Sequence, residues 1–159
     1  GRKDDMKSVL RASLNIELPT IPLSSVEQGS NSIWWIGPTE WILIGLASEI
    51  SDLEIELRNT LSAEYAVVNT SGGFIYLRLQ GSASGIVVRK SSPYNINQEN
   101  FGSGKVVGTK MGKAQIILKR TDHSFDILCR RSFSFYLWAW LRDASSEFGL
   151  AIDKRFLNS

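Results

Sequence analysis

Apolar side chains recur along this chain with two periods, one near 3.6 residues and one of 2, and the switches between them mark out the elements. The strongest helical signal is the stretch from Arg131 to Gly149. At about 100° per residue, Phe133, Leu137, Trp140, Leu141, Ala144 and Phe148 fall on one arc, the spacing of a helix laid on a core. Ser132 or Ser134 can cap its start, because a serine hydroxyl satisfies an orphan N–H of the first turn. Gly149 can end it, since glycine tolerates the left-handed conformation beyond a helix. Phe135, Trp138 and Arg142 lie opposite the arc. Two large rings and an arginine are therefore expected in solvent on an isolated domain, and such clusters mark contact surfaces.

The remaining elements follow in chain order. Residues 1–11 are charged and weakly patterned, which predicts an arm or a short helix. Pro19 and Pro22 bracket an extended segment from Leu18 to Leu23, because proline holds the residue before it out of the helical region. Ser24 to Ser32 reads as polar loop. Ile33-Trp-Trp-Ile36 and Trp41-Ile-Leu-Ile44 flank the turn residues Gly37-Pro-Thr-Glu40, which predicts a hairpin carrying three tryptophans. Ile50, Leu53, Leu57 and Leu61 repeat at helical spacing over Ala47 to Leu61, with Ser51-Asp-Leu-Glu54 as a capping box. Tyr65-Ala-Val-Val68 predicts a buried strand, and Asn69 to Gly73 a turn. Phe74 to Gln80 alternates, with Ile75, Leu77 and Leu79 on one face. A short helix is expected within Gly81 to Lys90, and an Asn-rich loop from Ser91 to Gly104. Strands are expected at Val106 to Met111, Ala114 to Lys119 and Phe125 to Arg130. Strands in runs with helices between the groups predict an α+β fold, mostly antiparallel sheets backed by helices. The expected organisation is an arm over residues 1–32, one domain over 33–149 and a tail over 150–159.

Composition narrows the function. The chain has 159 residues, 43% hydrophobic and 21% charged, the balance of a soluble domain able to bury a proper core. A formal net charge of +2, with basic residues scattered, does not make a nucleic-acid surface. No apolar run reaches the roughly 18 residues of a spanning helix, and no signal peptide is evident, so a cytoplasmic location without membrane contact is expected. One cysteine, Cys129, forbids an internal disulfide. With His123 as the sole histidine, no His/Cys metal cluster can form and no nucleophile–histidine pair is apparent. Gly102-Ser-Gly-Lys105 lacks P-loop spacing and no Ser or Thr follows its lysine. No catalytic, cofactor-binding or metal-binding residue is expected on this chain, and Phe135, Trp138 and Arg142 are the candidate interface.

Three segments carry a family resemblance. Trp35-Ile-Gly-Pro-Thr-Glu-Trp-Ile-Leu43 resembles the W-L-G-P-x-E-W-L-L signature of the gamma subunit of heterotetrameric sarcosine oxidase. Ala66-Val-Val-Asn-Thr-Ser71 and Leu77-Arg-Leu-Gln-Gly81 are similar to its V-D-V-S…L-x-L-x-G-x-x-A stretch, with Ala83 one residue early. Arg131-Ser-Phe-Ser-Phe-Tyr-Leu-Trp-Ala-Trp-Leu141 is similar to its R-S-F-x-x-Y-x-W-x-x-L segment. The middle of the chain is more distantly similar to the first domain of glycine-cleavage aminomethyltransferase and related folate-binding proteins.

The resemblance implies a folate-binding aminomethyltransferase-like fold. It also implies an assembly that oxidatively demethylates sarcosine to glycine and passes the one-carbon unit to tetrahydrofolate. FAD, FMN and NAD are then expected on larger flavin-bearing partner subunits, with this chain non-catalytic and structural. The alternative is a stand-alone folate-binding or aminomethyl-transferring protein. Against it, Gly112-Lys-Ala-Gln-Ile-Ile117 has no acid where those transferases carry an acidic pair, and Asn69 stands where the family usually has aspartate.

Overall fold

A computed structural model describes residues 2–61 and 65–153 of the chain. The elements run α1 (Arg2–Leu14), β1 (Ser25–Gln28), β2 (Asn31–Gly37), β3 (Glu40–Ile44), α2 (Ala47–Thr60), β4 (Phe74–Gln80), α3 (Ser84–Ser91), β5 (Val106–Met111), β6 (Ala114–Arg120), β7 (Ser124–Arg130) and α4 (Ser134–Ser145). The strands form two antiparallel sheets, ordered β1-β2-β3 and β4-β7-β6-β5. The helices lie outside them, giving four layers: α1 and α2, the small sheet, the large sheet, then α3 and α4.

Alternation along each strand divides the apolar residues among three cores. In the hairpin, Ile33 pairs with Leu43 and Trp35 with Trp41, and this face turns toward α1 and α2. Trp34, Ile36, Ile42 and Ile44 face the other way, onto Val106, Leu128 and Ile117 of the large sheet. The far face of the large sheet packs Ile116, Leu118, Ile127 and Cys129 against Val87 and Val88 of α3 and Leu137 and Leu141 of α4.

Several expectations need correction. Of the two forms expected for the charged N-terminal stretch, it takes the helix, and Val9 and Leu10 are buried on Leu53 and Leu57 of α2 rather than standing free as an arm. The segment read as polar loop holds β1, whose Ser25–Gln28 pairs antiparallel with β2, a ladder that local polarity does not reveal. Tyr65-Ala-Val-Val68 is not a strand: it is an irregular segment with Val68 exposed, and only Val67 among its valines reaches the α1–α2 core. Ser51 is no cap, since α2 has already begun one turn earlier and the Ser51 hydroxyl donates back to the Ala47 carbonyl. One turn on, Glu54 and Arg58 form an i,i+4 ion pair at 2.9 Å. The Asn-rich loop is not wholly polar, because Ile96 and Phe101 plug the large core.

Between the sheets lies a layer of charge. Asp126 and Lys119 are both almost completely buried. Arg78 holds the Asp126 carboxylate with two bonds, Nε at 2.6 Å and Nη2 at 2.9 Å, the fork geometry that matches a carboxylate. The Lys119 ammonium lies 3.6 Å from Asp126, contacts the Glu27 carboxylate of β1, and sits 5.5 Å from the Trp34 ring centre. Trp34 in turn donates its indole N–H to Ser32 Oγ at 2.7 Å.

Two stability outcomes follow from this layer. Trp34→Ala should lower unfolding free energy by about 3–5 kcal/mol, read by urea denaturation, as a fully buried indole leaves a cavity. Asp126→Asn leaves Lys119 and Arg78 without their buried counter-charge and should cost about 3–5 kcal/mol, while Asn at exposed Asp122 should change stability by less than about 0.5 kcal/mol.

Candidate docking surface

The last strand runs through a three-residue 3-10 turn, Arg131–Phe133, into α4, and a second such turn, Ser146–Phe148, closes the helix before Gly149 at φ 77°. These turns rotate the ends out of α-helical phase. Phe133 and Phe148 are therefore exposed rather than part of the core arc expected for them. The buried arc consists of Leu137, Leu141 and Ser145, with Tyr136 and Ala144 at its margins. It is rotated toward Ser145, so Trp140 slides to the rim, and Trp138, about 20° from Ser145 on the wheel, is drawn half out of solvent. Neither Ser132 nor Ser134 caps the helix, which has no side-chain cap bond.

Of the three expected interface residues, Phe135 is 82% exposed and Arg142 is exposed, whereas Trp138 is half-buried. Phe135 therefore stands as a ring in water on the outer side of α4. Ala151 to Asp153 are exposed and do not cover it, while the rest of the C-terminal tail falls outside the described residues.

Sequence periodicity missed the aromatic seat on the other flank of α4. Phe133 meets Tyr136 edge-on with ring centres 6.4 Å apart, and Tyr136 lies 6.0 Å from Trp140. The Tyr136 hydroxyl accepts the Lys113 backbone N–H at 3.0 Å, which clamps the turn between β5 and β6 beneath the helix. Gly112 in that turn has φ 58°, and a Cβ there would come within 2.5 Å of the Tyr136 hydroxyl and 3.0 Å of the Trp140 ring. The signal was present as Met-Gly-Lys between two strands, but nothing in one dimension paired it with Tyr136. At its C-terminal end α4 is tied to α3 through Lys90, which pairs with Glu147 and lies 5.4 Å from the Phe148 ring centre.

Groups with chemical potential lie elsewhere and apart. His123 is exposed in the β6–β7 turn. Cys129 is buried, and desolvation raises its thiol above the ordinary range, which suppresses the reactive thiolate. Tyr76 is pushed upward by burial and then by the Asp126 carboxylate it faces, while the Asp126 bond raises Arg78 and holds it charged. Lys105 of the Gly-Ser-Gly-Lys loop donates to the Asn100 carbonyl at 2.9 Å, closing a structural loop. Among the described residues, no group of three or more His, Cys, Asp or Glu side chains is placed to hold a metal ion. None of the described helices is long and apolar enough to cross a membrane.

The family model described as "Sarcosine oxidase, gamma subunit family" matches residues 4–147. The chain belongs to this family. Its relatives include the sarcosine oxidase subunit gamma of Corynebacterium sp. (strain U-96), 31% identical over 147 residues, covering 91% of this chain and 71% of the relative. The subunit gamma of Corynebacterium sp. (strain P-1) is 35% identical over 119 residues, 74% of this chain and 58% of the relative. A chain of the heterotetrameric sarcosine oxidase from Corynebacterium sp. U-96, solved in complex with pyrrole 2-carboxylate, aligns with a TM-score of 0.77 at 28% identity. That alignment covers 94% of this chain and 77% of the other. The mixed architecture with antiparallel sheets is thus shared with a subunit of that assembly, and the matched region takes in the hairpin, the large sheet and all of α4.

In this gamma-family chain the seat at Gly112 gives a direct test. Gly112→Ala forces a Cβ against the Tyr136 hydroxyl and Trp140 ring and should destabilise the fold by about 1–3 kcal/mol, with a loss of near-UV aromatic circular dichroism.

Proposed function

We propose that the chain acts as the gamma subunit of a heterotetrameric sarcosine oxidase, a structural component that carries no catalytic residue. The observation that carries this reading is the family match across residues 4–147. The assembly would oxidatively demethylate sarcosine to glycine and transfer the one-carbon unit to tetrahydrofolate. FAD, FMN and NAD would reside on larger flavin-bearing subunits in the cytoplasm. On this reading the helix-backed antiparallel sheets are a form of the folate-binding aminomethyltransferase domain, adapted to docking rather than to chemistry.

Two features support the docking role. Phe135 presents a ring on the outer face of α4, and Arg142, two turns along the same side, adds an exposed cation about 10 Å further on. Aromatic and arginine side chains are the groups that most often dominate binding energy at protein interfaces. Trp138, half-buried at the rim of that face, joins the contact while also packing on the domain itself.

Co-expression with the candidate flavoprotein subunits tests the assignment. Bound flavin and sarcosine-dependent peroxide release should require this chain. A complex that assembles and turns over sarcosine equally well without it would overturn the reading. Within that assay, Phe135→Ala should leave the melting of the free subunit nearly unchanged while weakening assembly by about 2 kcal/mol, measured by titration of the remaining subunits.

A further inference from the structure

Strand β4 ends the large sheet on an open edge, as β7 pairs with only one of its sides. The Arg131 N–H donates to the Gly73 carbonyl at 2.9 Å, which sets the phase of the ladder. Hydrogen-bonded pairs then fall at Ile75–Cys129, Leu77–Ile127 and Leu79–Phe125. Phe74, Tyr76, Arg78 and Gln80 consequently turn their backbone N–H and C=O groups away from β7, and among the described residues none of these groups meets a backbone partner. The opposite end of the sheet differs: the outward N–H of Val106 on β5 is taken by the Leu23 carbonyl at 2.8 Å.

Proteins commonly blunt an exposed edge with proline, lysine, a bulge or a very short strand. β4 has no proline, lysine or bulge and is seven residues long with an unbroken register; its one charged residue, Arg78, is taken up by Asp126 between the sheets. Its core-side residues are also unfinished. Ile75, Leu77 and Leu79 pack on the large core yet stay only half-buried, whereas Ile127 and Cys129, one strand further in, are fully buried. A further strand beside β4 would complete both the backbone ladder and this apolar row.

We propose that the β4 edge takes up an extended segment of a larger partner subunit by strand addition, the segment carrying an apolar side chain at every second position to lie beside Ile75, Leu77 and Leu79. The four outward N–H and C=O pairs define a backbone template, and the half-covered row defines the side chains that complete it. The inference rests on the gamma-subunit reading, and it names a contact distinct from the outer face of α4.

Hydrogen exchange on the co-expressed complex, compared with the free chain, tests it. Amides of Phe74, Tyr76, Arg78 and Gln80 should exchange rapidly in the free chain and become strongly protected in the complex. The amides of Ile75, Leu77 and Leu79 are already bonded to β7 and should change far less. A complex that forms with the four outward amides still unprotected overturns the proposal and leaves the subunit reading standing. Failure to form any complex instead counts against that reading. Protection that grows with concentration in the free chain would mean that a second copy occupies the edge, and would also overturn the proposal. A paired substitution gives an independent measure. Tyr76→Ala and Tyr76→Pro both lose the ring, but only proline removes the outward N–H and places its own ring in the path of an added strand. Tyr76→Pro should assemble at least about tenfold more weakly than Tyr76→Ala, and equal assembly of two folded variants would overturn the proposal. If Tyr76→Pro does not fold, the exchange pattern of the unmodified complex decides.

Discussion

A carboxylate sealed between two sheets is expensive unless its charge is matched at close range, and the middle of this molecule is built around that requirement. Asp126 lies on β7, its Arg78 partner on β4, Lys119 on β6, and the Glu27 that meets Lys119 on β1 of the other sheet. The network therefore spans three strands of the large sheet and crosses to the small one. Ionic contacts demand specific distances, whereas apolar packing tolerates sliding. With Trp34 wedged under the Lys119 ammonium, the charges fix how the two sheets sit on one another. Once that register is set, the hairpin presents Ile33, Trp41 and Leu43 to α1 and α2, and Val87, Val88, Leu137 and Leu141 cover the far face.

A four-layer stack of this kind spends its own apolar surface on internal contacts, so what is left over carries information. The outer side of α4 carries an exposed phenylalanine, and among the described residues the outward backbone groups of β4 meet no backbone partner beside a half-covered apolar row. Neither feature helps an isolated chain stay folded or soluble. Both make sense in a protein whose family is named for one subunit of a larger oxidase. Of the titratable groups, His123 lies at a turn in solvent, Cys129 in the core, and the Arg78–Asp126–Lys119 network between the sheets.

Much of the architecture was legible in one dimension. The Trp-rich hairpin, β4 through β7 and the spans of α2 and α4 follow from local periodicity and turn residues, which are properties of neighbours in sequence. The family was legible too, because its motifs fall in the hairpin, around Asn69 and along β4, and at the start of α4. The errors lie where a distant partner decides. β1 is polar and gains its strand only by pairing with β2, and the valines at 67 and 68 have strand propensity but no ladder to join. The buried arc of α4 was placed too wide because the turns at its two ends are 3-10 and shift Phe133 and Phe148 out of phase.

The sequence by itself determined most of the helices and strands and the family resemblance, since those depend on spacings of a few residues. Only the tertiary structure decided that Asp126, Lys119 and Arg78 are one network, that Gly112 must lack a side chain beneath Tyr136, and that β4 is an edge. Each of these joins residues far apart in the chain, and the free energy of such contacts exists only once folding has brought them within a few ångströms.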